Sequence, residues 1–472
     1  MSDIPRPANR SWWLEEALAL PEFAGEPCPP LASDVEADVV ILGGGYTGMW
    51  TAHFLKERDP GIDVVLLEQD ICGGGPSGRN GGFVNSFWGY LETAVALFGQ
   101  ERGLELCRAA DGVVAQIGEW CERHAVDAWF TQEGDLGVES SPAQSGRWTD
   151  TVETARRLGA GERIVALTAE EVRARCDSPI FGAGMVTVDA GTVQPARLAR
   201  GLRRVLLEQG VRIFEQTPVT RFRTARPAVA ETPAGSVRAG SAVIALNAWA
   251  AAWRAFRSRL TVRGTYMVVT APAPERLEEI GWTGGEAIWN MRVAVNYLRT
   301  TPDGRIAFGT GGMQPGLART IGPRFAYDTR FVATVAEQLV RMFPSFAGVP
   351  LEAGWGGPID VTGAHLPFFG TRAPGNVHHG LGYTGNGVGP SHLGGRILAS
   401  LALGREDELT RLPIVGFRPK AFPPEPIRSP GNLVVNEAIL RKDRAEDAGG
   451  RANSVVDFVA KLPRRFGYHL GP

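Results

Sequence analysis

The feature that most constrains the fold is a glycine cluster set between two short apolar runs. The first run, DVVIL at 38–42, leads directly into the motif Gly43-x-Gly45-x-x-Gly48, and the second run follows at 63–68. This order predicts a buried strand, a tight turn, a helix and a second parallel strand, which together make one βαβ unit. Such a unit requires a parallel sheet covered by helices, as in a Rossmann-type α/β domain.

Each glycine of the motif meets a physical requirement of dinucleotide binding. Gly43 permits the tight turn, Gly45 lets the backbone approach a pyrophosphate, and Gly48 lets the helix pack closely on the strand. The N–H groups and the dipole of the helix start then stabilise the phosphate charge. Glu68, at the end of the second strand, can accept hydrogen bonds from ribose hydroxyls and would repel the extra phosphate of NADP. The motif predicts a bound dinucleotide but does not separate FAD from NAD.

The composition excludes several classes of function. The chain of 472 residues has a formal net charge of −2, so no global field attracts nucleic acid or an anionic membrane. Its five cysteines show no CxxC spacing, which predicts reduced thiols in a cytoplasmic protein and no metal site. The N-terminus lacks the apolar core of a secretory signal, and no stretch reaches the roughly 20 apolar residues of a membrane span. We therefore expect a cytoplasmic protein without a nucleic-acid partner.

Apolar runs and glycine-rich turns alternate in a way that predicts a nucleotide-binding domain built from separated segments. A second domain, with several strands that should form an antiparallel sheet, is inserted between those segments and is expected to bind the substrate. The fold class is thus α/β with an α+β substrate domain. The predicted boundaries are 37–105, 182–258 and 354–404 for the nucleotide-binding domain, 106–181 and 259–353 for the substrate domain, 1–36 for an N-terminal lead-in and 405–472 for a C-terminal arm.

Several motifs outside the glycine cluster carry a family resemblance. The stretch Ser77–Gly82 (SGRNGG) resembles the D-amino-acid-oxidase-like FAD-dependent oxidoreductases, as do 191–202 (GTVQPARLARGL), 245–249 (ALNAW) and 382–389 (GYTGNGVG). The resemblance covers about residues 37–404 and is nearest to the γ-glutamylputrescine oxidase branch. It implies that FAD is the cofactor and that the C–N bond of a small amine or amino acid is oxidised.

The resemblance also implies which residues contact FAD. In that family the stretch after the second strand lies against the flavin, and the helix that follows the C-terminal glycine turn points its positive end at the ring, where it would stabilise the charge of the reduced flavin. Some relatives attach the flavin to a histidine where this chain has Arg79, or to a later cysteine, and no cysteine follows Cys176, so we expect a non-covalent FAD. The predicted cofactor residues are Gly43, Gly45, Tyr46, Thr47, Gly48, Glu68, Gln69, Ser77, Gly78, Arg79, Asn80, Gly81, Gly82, Val219, Gly385, Asn386, Gly387 and Val388.

Three residues are candidates for the substrate side of the site. Arg299 matches the arginine that grips a carboxylate in glycine oxidase, and a planar guanidinium suits that group through two parallel hydrogen bonds; an exposed arginine at a strand end is the alternative. Tyr266 falls near the family's pocket, although a core tyrosine is the more usual role. His365 lies where the family passes close to flavin and substrate, and it either sets the protonation of the amine or is structural.

The implied reaction transfers a hydride from a neutral amine to the flavin, after which water hydrolyses the imine to a carbonyl compound and an amine or ammonia. Molecular oxygen is the expected acceptor, with release of hydrogen peroxide. Some oxidases of the family activate oxygen with a lysine, whereas this chain has no lysine between Glu57 and Pro419. A dehydrogenase that uses another electron acceptor is therefore the alternative. A nucleotide binder without turnover and an RNA-modifying flavoprotein are disfavoured, because the flavin-facing turn is present and basic runs are absent.

Overall fold

A computed structural model describes residues 10–317 and 320–469, which form two eight-stranded sheets and a smaller two-stranded one. The helices are α1 Trp12–Leu18, α2 Pro21–Ala24, α3 Tyr46–Arg58, α4 Leu91–Phe98, α5 Gln100–Ala109, α6 Val113–Arg123, α7 Thr149–Arg157, α8 Ala169–Arg175, α9 Pro195–Glu208, α10 Pro274–Glu279, α11 Thr329–Met342, α12 Val388–Ala402, α13 Arg428–Asp447 and α14 Ser454–Arg465. The strands are β1 Val35–Leu42, β2 Val64–Leu67, β3 Phe83–Asn85, β4 Asp135–Val138, β5 Ile164–Leu167, β6 Gly184–Thr187, β7 Ala190–Thr192, β8 Arg212–Phe214, β9 Arg221–Arg223, β10 Ala228–Thr232, β11 Gly235–Ile244, β12 Thr261–Thr270, β13 Ala287–Asn290, β14 Asn296–Thr300, β15 Ile306–Pro315, β16 Leu351–Val361, β17 Phe368–Arg372 and β18 Val377–Leu381.

The first sheet has the order β17-β18-β11-β1-β2-β8, with β10 and β9 joined to the side of β11. Strand β1 is parallel to both β2 and β11, and α3 connects β1 to β2, so the predicted βαβ unit is confirmed. Helix α12 crosses α3 closely, because a Cβ at Gly395 would lie 2.5 Å from the Cβ of Trp50. Close crossing of two buried helices brings the start of α12 near the glycine motif.

The second sheet has the order β16-β12-β15-β14-β13-β4-β6-β5 and is antiparallel except where β13 runs parallel to β4. Strands β6 and β16 belong to it, whereas the predicted boundaries placed 184–187 and most of 351–361 in the nucleotide-binding domain. The sequence does not reveal this assignment, because β6 is buried along its whole length and has no polar alternation that would indicate one sheet or the other. One apolar cluster contains residues of both sheets, including Ile41 and Met267, so the two layers share a core.

The two terminal segments pack on this body. Trp13 of α1 is fully buried, with its ring 6.1 Å from that of Trp355 and 5.7 Å from the guanidinium carbon of Arg299. Helices α13 and α14 pack on each other within the predicted C-terminal arm, and we call this pair the C-terminal hairpin (residues 428–465). Asn436 Nδ2 of the hairpin donates a hydrogen bond of 3.0 Å to the carbonyl oxygen of Met313 on β15. Across the described ranges, no helix has both the length and the apolar character that crossing a bilayer requires.

Candidate active site

A cavity of about 1560 Å³ extends through the middle of the protein. Its walls include the glycine motif, the stretch after β2, the start of α12, the faces of β12, β13 and β14, and the C-terminal hairpin. A cavity of this size holds a cofactor and a small substrate together. The nucleotide motif, the second sheet and the arm therefore meet at one site.

The glycine motif is shaped for a phosphate ligand. Helix α3 begins at Tyr46 with Gly45 as its N-cap, which has no capping side chain, and Ser77 Oγ accepts a hydrogen bond of 2.9 Å from the amide of Tyr46. A Cβ at Gly48 would lie 2.0 Å from the carbonyl oxygen of Gly43, so only glycine allows the helix to approach the end of β1 this closely. Gly43 itself has a φ of +109°, which favours glycine. The helix start lines the cavity, where its dipole and its other N–H groups can stabilise a pyrophosphate.

Glu68 is fixed by the backbone in the position expected for a ribose ligand. Its Oε2 accepts a hydrogen bond of 2.8 Å from the amide of Gly44, and its Oε1 accepts one of 2.9 Å from the amide of Asp70. Burial raises the pKa of the Glu68 carboxyl to about 7. The remaining lone pairs face the cavity, where ribose hydroxyls can donate to them.

The stretch Ser77–Gly82 is held in one conformation by its own side chains. Arg79 Nε donates to the carbonyl oxygen of Gly74 at 3.0 Å, and Asn80 Oδ1 accepts from the amide of Gly82 at 2.7 Å. Trp355 Nε1 adds a hydrogen bond of 2.9 Å to the carbonyl oxygen of Arg79. These contacts present a rigid, small-residue surface to the cavity, which suits the flat face of a flavin ring.

The start of α12 closes the other side of this surface. The helix begins at Val388 with Gly387 as its N-cap, again without a side-chain cap. The side chains of Tyr90 and Asn386 share a hydrogen bond, and burial raises the pKa of the Tyr90 phenol above its usual range. The uncapped N–H groups and the helix dipole can therefore stabilise negative charge in the cavity.

Most of the predicted cofactor residues line this cavity, and three glycines lie behind its lining. A Cβ at Gly78 would lie 2.3 Å from the carbonyl oxygen of Gly73, and one at Gly82 would lie 2.1 Å from that of Val193, so these glycines and Gly48 allow backbone segments to pack. The lining residues are Gly43, Gly45, Tyr46, Thr47, Glu68, Gln69, Ser77, Arg79, Asn80, Gly81, Val219, Gly385, Asn386, Gly387 and Val388.

Arg299 has a structural position rather than the substrate-binding position that the sequence suggested. It is 2% exposed and is not part of the cavity wall. Its Nη1 donates to the carbonyl oxygen of Val193 and its Nε to that of Thr300, while Trp13 covers the guanidinium. The backbone at Gly82 fills the space between Arg299 and the cavity, since a Cβ there would lie 2.8 Å from the Arg299 Nη1. The guanidinium of Arg299 therefore helps to hold the loop after β2 in its conformation.

Tyr266 likewise faces away from the cavity. Its phenol donates to the carbonyl oxygen of Arg324 at 2.8 Å, and its ring stacks on Phe331 at 4.9 Å. The reason is the alternation of side chains along β12: Arg263 and Thr265 line the cavity, so the next residue points to the opposite face. Tyr266 is thus a core residue of the second sheet.

His365 is the predicted catalytic candidate that does line the cavity. It has a left-handed backbone conformation with a φ of +54°, at the turn between β16 and β17. Burial lowers the pKa of its imidazole to about 4, with a further contribution from His469. The ring is therefore neutral at physiological pH and can donate or accept one hydrogen bond.

Sequence reasoning missed Arg263, although this residue is the most informative cation in the wall. Its guanidinium donates to Asn436 Oδ1 of the C-terminal hairpin, and within the described ranges it forms no salt bridge. Burial lowers the pKa of Arg263 to about 10, so it stays charged at neutral pH. The sequence feature that could have identified Arg263 is its place inside the apolar run TVRGTYMVV, where a cation without a partner is unusual.

Known proteins share this architecture. The chain is 28% identical over 401 residues to γ-glutamylputrescine oxidoreductase of Escherichia coli, with 83% of this chain and 90% of the relative covered. It is 29% identical over 410 residues to a probable oxidoreductase OrdL of Rhizobium meliloti, with 85% and 90% covered. Glycine oxidase from Geobacillus kaustophilus has the same fold with a TM-score of 0.64, 22% identity, and 79% of this chain and 96% of that chain covered.

The family is established by the extent of its match. The sequence pattern of the family described as FAD dependent oxidoreductase (DAO) matches residues 38–401, which include every cavity-lining residue outside the C-terminal segment 422–469. The predicted family resemblance and the predicted FAD cofactor are confirmed. None of the five cysteines lines the cavity, in agreement with a non-covalent FAD. The chain belongs to the DAO family of FAD-dependent oxidoreductases.

Proposed function

We propose that this protein oxidises the carbon–nitrogen bond of a small amine or amino acid that also carries a carboxylate, with FAD as the hydride acceptor. The names of its relatives support the reaction class, since γ-glutamylputrescine oxidoreductase and glycine oxidase both act on compounds that contain an amine and a carboxylate. A γ-glutamylated amine is the substrate suggested by the first of these relatives.

The observation that carries the carboxylate assignment is the environment of Arg263. This largely buried cation lines the cavity and, among the described residues, has one hydrogen bond, to Asn436, while a guanidinium offers five N–H donors. A buried charge without an ionic partner is costly, and a substrate carboxylate would remove that cost through two parallel hydrogen bonds. Arg263 thereby takes the role that the sequence suggested for Arg299.

The roles of the other residues follow from where they lie. The helix start at Gly45 would hold the FAD pyrophosphate, Glu68 would accept hydrogen bonds from its ribose, and the start of α12 would stabilise negative charge at the ring. When bound, FAD supplies the hydride acceptor for the reaction. The protein orients the amine by holding its carboxylate at Arg263, and neutral His365 can exchange a hydrogen bond with the substrate. The C-terminal hairpin covers one wall and restricts the access of water.

Reoxidation by molecular oxygen, with release of hydrogen peroxide, is part of the proposal. One observation favours the alternative of a dehydrogenase with another electron acceptor: none of the four lysines lies in the wall of the cavity that the described residues form. A cytoplasmic location is also proposed, on the basis of five buried cysteines that form no disulfide.

The test is a pair of measurements on the purified holoenzyme. Flavin absorbance should bleach when γ-glutamylputrescine, glycine, sarcosine or proline is added without oxygen, and it should bleach far more slowly with a matched amine that lacks the carboxylate. Admission of air then separates an oxidase, which recovers its absorbance and releases peroxide, from a dehydrogenase. The proposal fails if the protein binds no FAD, or if no carboxylated amine reduces the flavin.

A further inference from the structure

The cavity contains a second buried charge, of the opposite sign to Arg263. Asp135, the first residue of β4, is 2% exposed and lines the cavity. Its carboxylate accepts hydrogen bonds from Asn85 Nδ2 at 2.9 Å and Trp289 Nε1 at 3.2 Å, and a third from the hydroxyl of Thr187. All three donors are neutral, and among the described residues no cationic side chain pairs with this carboxylate.

A second acceptor without a donor lies beside this carboxylate. Asn85 Oδ1 is buried and has no hydrogen-bond partner in the part of the chain that the structure describes. A 180° rotation of the Asn85 amide would not give this oxygen a donor, because Nδ2 already donates to the Asp135 carboxylate. Exchanging the two atoms would place the amide oxygen against the carboxylate. A buried acceptor left unpaired is costly, and so is a buried carboxylate without a counter-ion. Both costs would be removed by one ligand that is cationic and carries several N–H donors.

These two acceptors lie next to the flavin end of the cavity. Strand β3, which ends at Asn85, abuts the start of α12, since a Cβ at Gly389 would lie 2.0 Å from the carbonyl oxygen of Asn85. The aromatic rings of Tyr90 and Trp289 are in the same wall, and such rings attract cations through their faces. Asn85 and Asp135 are thus placed where a substrate amine would have to approach.

We propose that Asp135 and Asn85 form the binding site for an ammonium group of the substrate, and that Arg263 binds the carboxylate of the same molecule. This inference rests on the proposed function and deepens it, because it names the substrate class as a zwitterion held at two points of one cavity. Hydride transfer requires the neutral amine, so the bound ammonium group first gives one proton to the Asp135 carboxylate that accepts its hydrogen bond. Amines that lack a carboxylate and carboxylic acids that lack an ammonium group satisfy only one of the two points and are expected to be poor substrates.

Two probes that cannot be oxidised distinguish binding at the ammonium site from binding at the carboxylate site. The tert-butylammonium ion has no hydrogen on the carbon bonded to nitrogen, so it can bind but cannot transfer a hydride, and pivalate presents a carboxylate on the same framework. Calorimetric titration of the holoenzyme should show binding of both ions, and tert-butanol, which has their shape without the charge, should bind much more weakly. Equal affinity for tert-butanol and tert-butylammonium would overturn the inference.

Substitutions of the proposed binding residues test which residues bind each probe. Asp135→Asn should weaken tert-butylammonium binding by about tenfold or more, while pivalate binding changes by less than about twofold. Asn85→Ala should also weaken the ammonium probe, and it decides the question if Asp135→Asn does not fold. Asp303→Asn is the control for loss of one negative charge, because Asp303 pairs with Arg305 at the surface, and it should change neither affinity.

The inference and the proposed function can fail separately. If Asp135→Asn and Asn85→Ala bind tert-butylammonium as tightly as the wild type while amines still reduce the flavin, the ammonium site is wrong and the function stands. If the variants lose the ammonium probe but no amine reduces the wild-type flavin, the site stands and the oxidation reaction is wrong.

Discussion

The environment of Asp135 predicts a measurable dependence of stability on pH. Burial raises the pKa of this carboxyl from 3.8 to about 6, because the charged form loses its hydration and gains only neutral hydrogen-bond donors. A folded-state pKa above the unfolded one means that the stabilising contribution is complete below about pH 3.8 and is lost as the pH rises through about 6. Asp135→Asn removes this titration, so the variant should gain stability relative to the wild type over that range.

The size of the effect follows from the two pKa values. Integrating the linkage relation between them gives a cost of ionised Asp135 of about 2 kcal/mol at pH 5 and about 3 kcal/mol at pH 7.5, relative to low pH. The expected change between those two conditions is therefore about 1 kcal/mol. With an unfolding entropy near 2.1 cal/mol/K per residue, a chain of this length shifts its Tm by about 1 °C for each kcal/mol.

The assay is thermal unfolding of the wild-type and Asp135→Asn holoenzymes at about pH 5 and about pH 7.5. The Tm of the variant minus the Tm of the wild type should be about 1 °C larger at pH 7.5 than at pH 5, whatever its value at either pH. Glu68 and Asp360, whose pKa values are about 7 and about 6, also titrate in this range, but both proteins contain them and their effects cancel in the difference. A difference that stays constant, or decreases with pH, would refute the reasoning.

Three further predictions concern binding. Arg263→Gln should raise KM for a carboxylated amine by about 100-fold, with a smaller change in kcat. Arg299→Gln should lower the Tm and leave KM near that of the wild type. The reverse pattern would show that Arg299 is the residue that binds the substrate. Asn436→Ala should raise KM by about tenfold, because it removes the hydrogen bond that holds the guanidinium of Arg263. Glu437→Gln, a substitution at the exposed neighbouring residue, is the control and should leave KM unchanged. Glu68→Gln should weaken FAD binding by about tenfold, measured by flavin fluorescence, and an unchanged affinity would exclude a ribose contact.

The part of the site made by local sequence was predictable, because its geometry depends on a few neighbouring residues. Gly43 and Gly45 lie in the turn between β1 and α3, Gly48 lies in the first turn of α3, and Glu68 directly follows β2, as their spacing indicates. Backbone crowding and an uncapped helix start are properties of short segments, so a glycine pattern that follows a strand reports them reliably. The same holds for the turn that leads into α12.

The substrate side was not predictable from the same kind of pattern. Arg263, Tyr266 and Arg299 all lie in apolar strand segments, and which of them faces the cavity depends on strand register and on what packs behind the strand. Alternation along β12 sends Tyr266 into the core, while the backbone at Gly82 separates Arg299 from the cavity. A one-residue change of register would exchange these faces, and the sequence contains no local signal that fixes it.

The sequence by itself determined the βαβ unit, the dinucleotide motif and, through the resemblance, the flavoenzyme family. Only the tertiary structure decided which polar side chains line the same cavity: Arg263 on β12, Asp135 on β4, Asn85 on β3 and the hairpin residue Asn436 are far apart along the chain. The physical reason is that a nucleotide turn is specified by backbone conformation over a few residues, whereas a substrate pocket is specified by which side chains distant segments leave buried and without a partner.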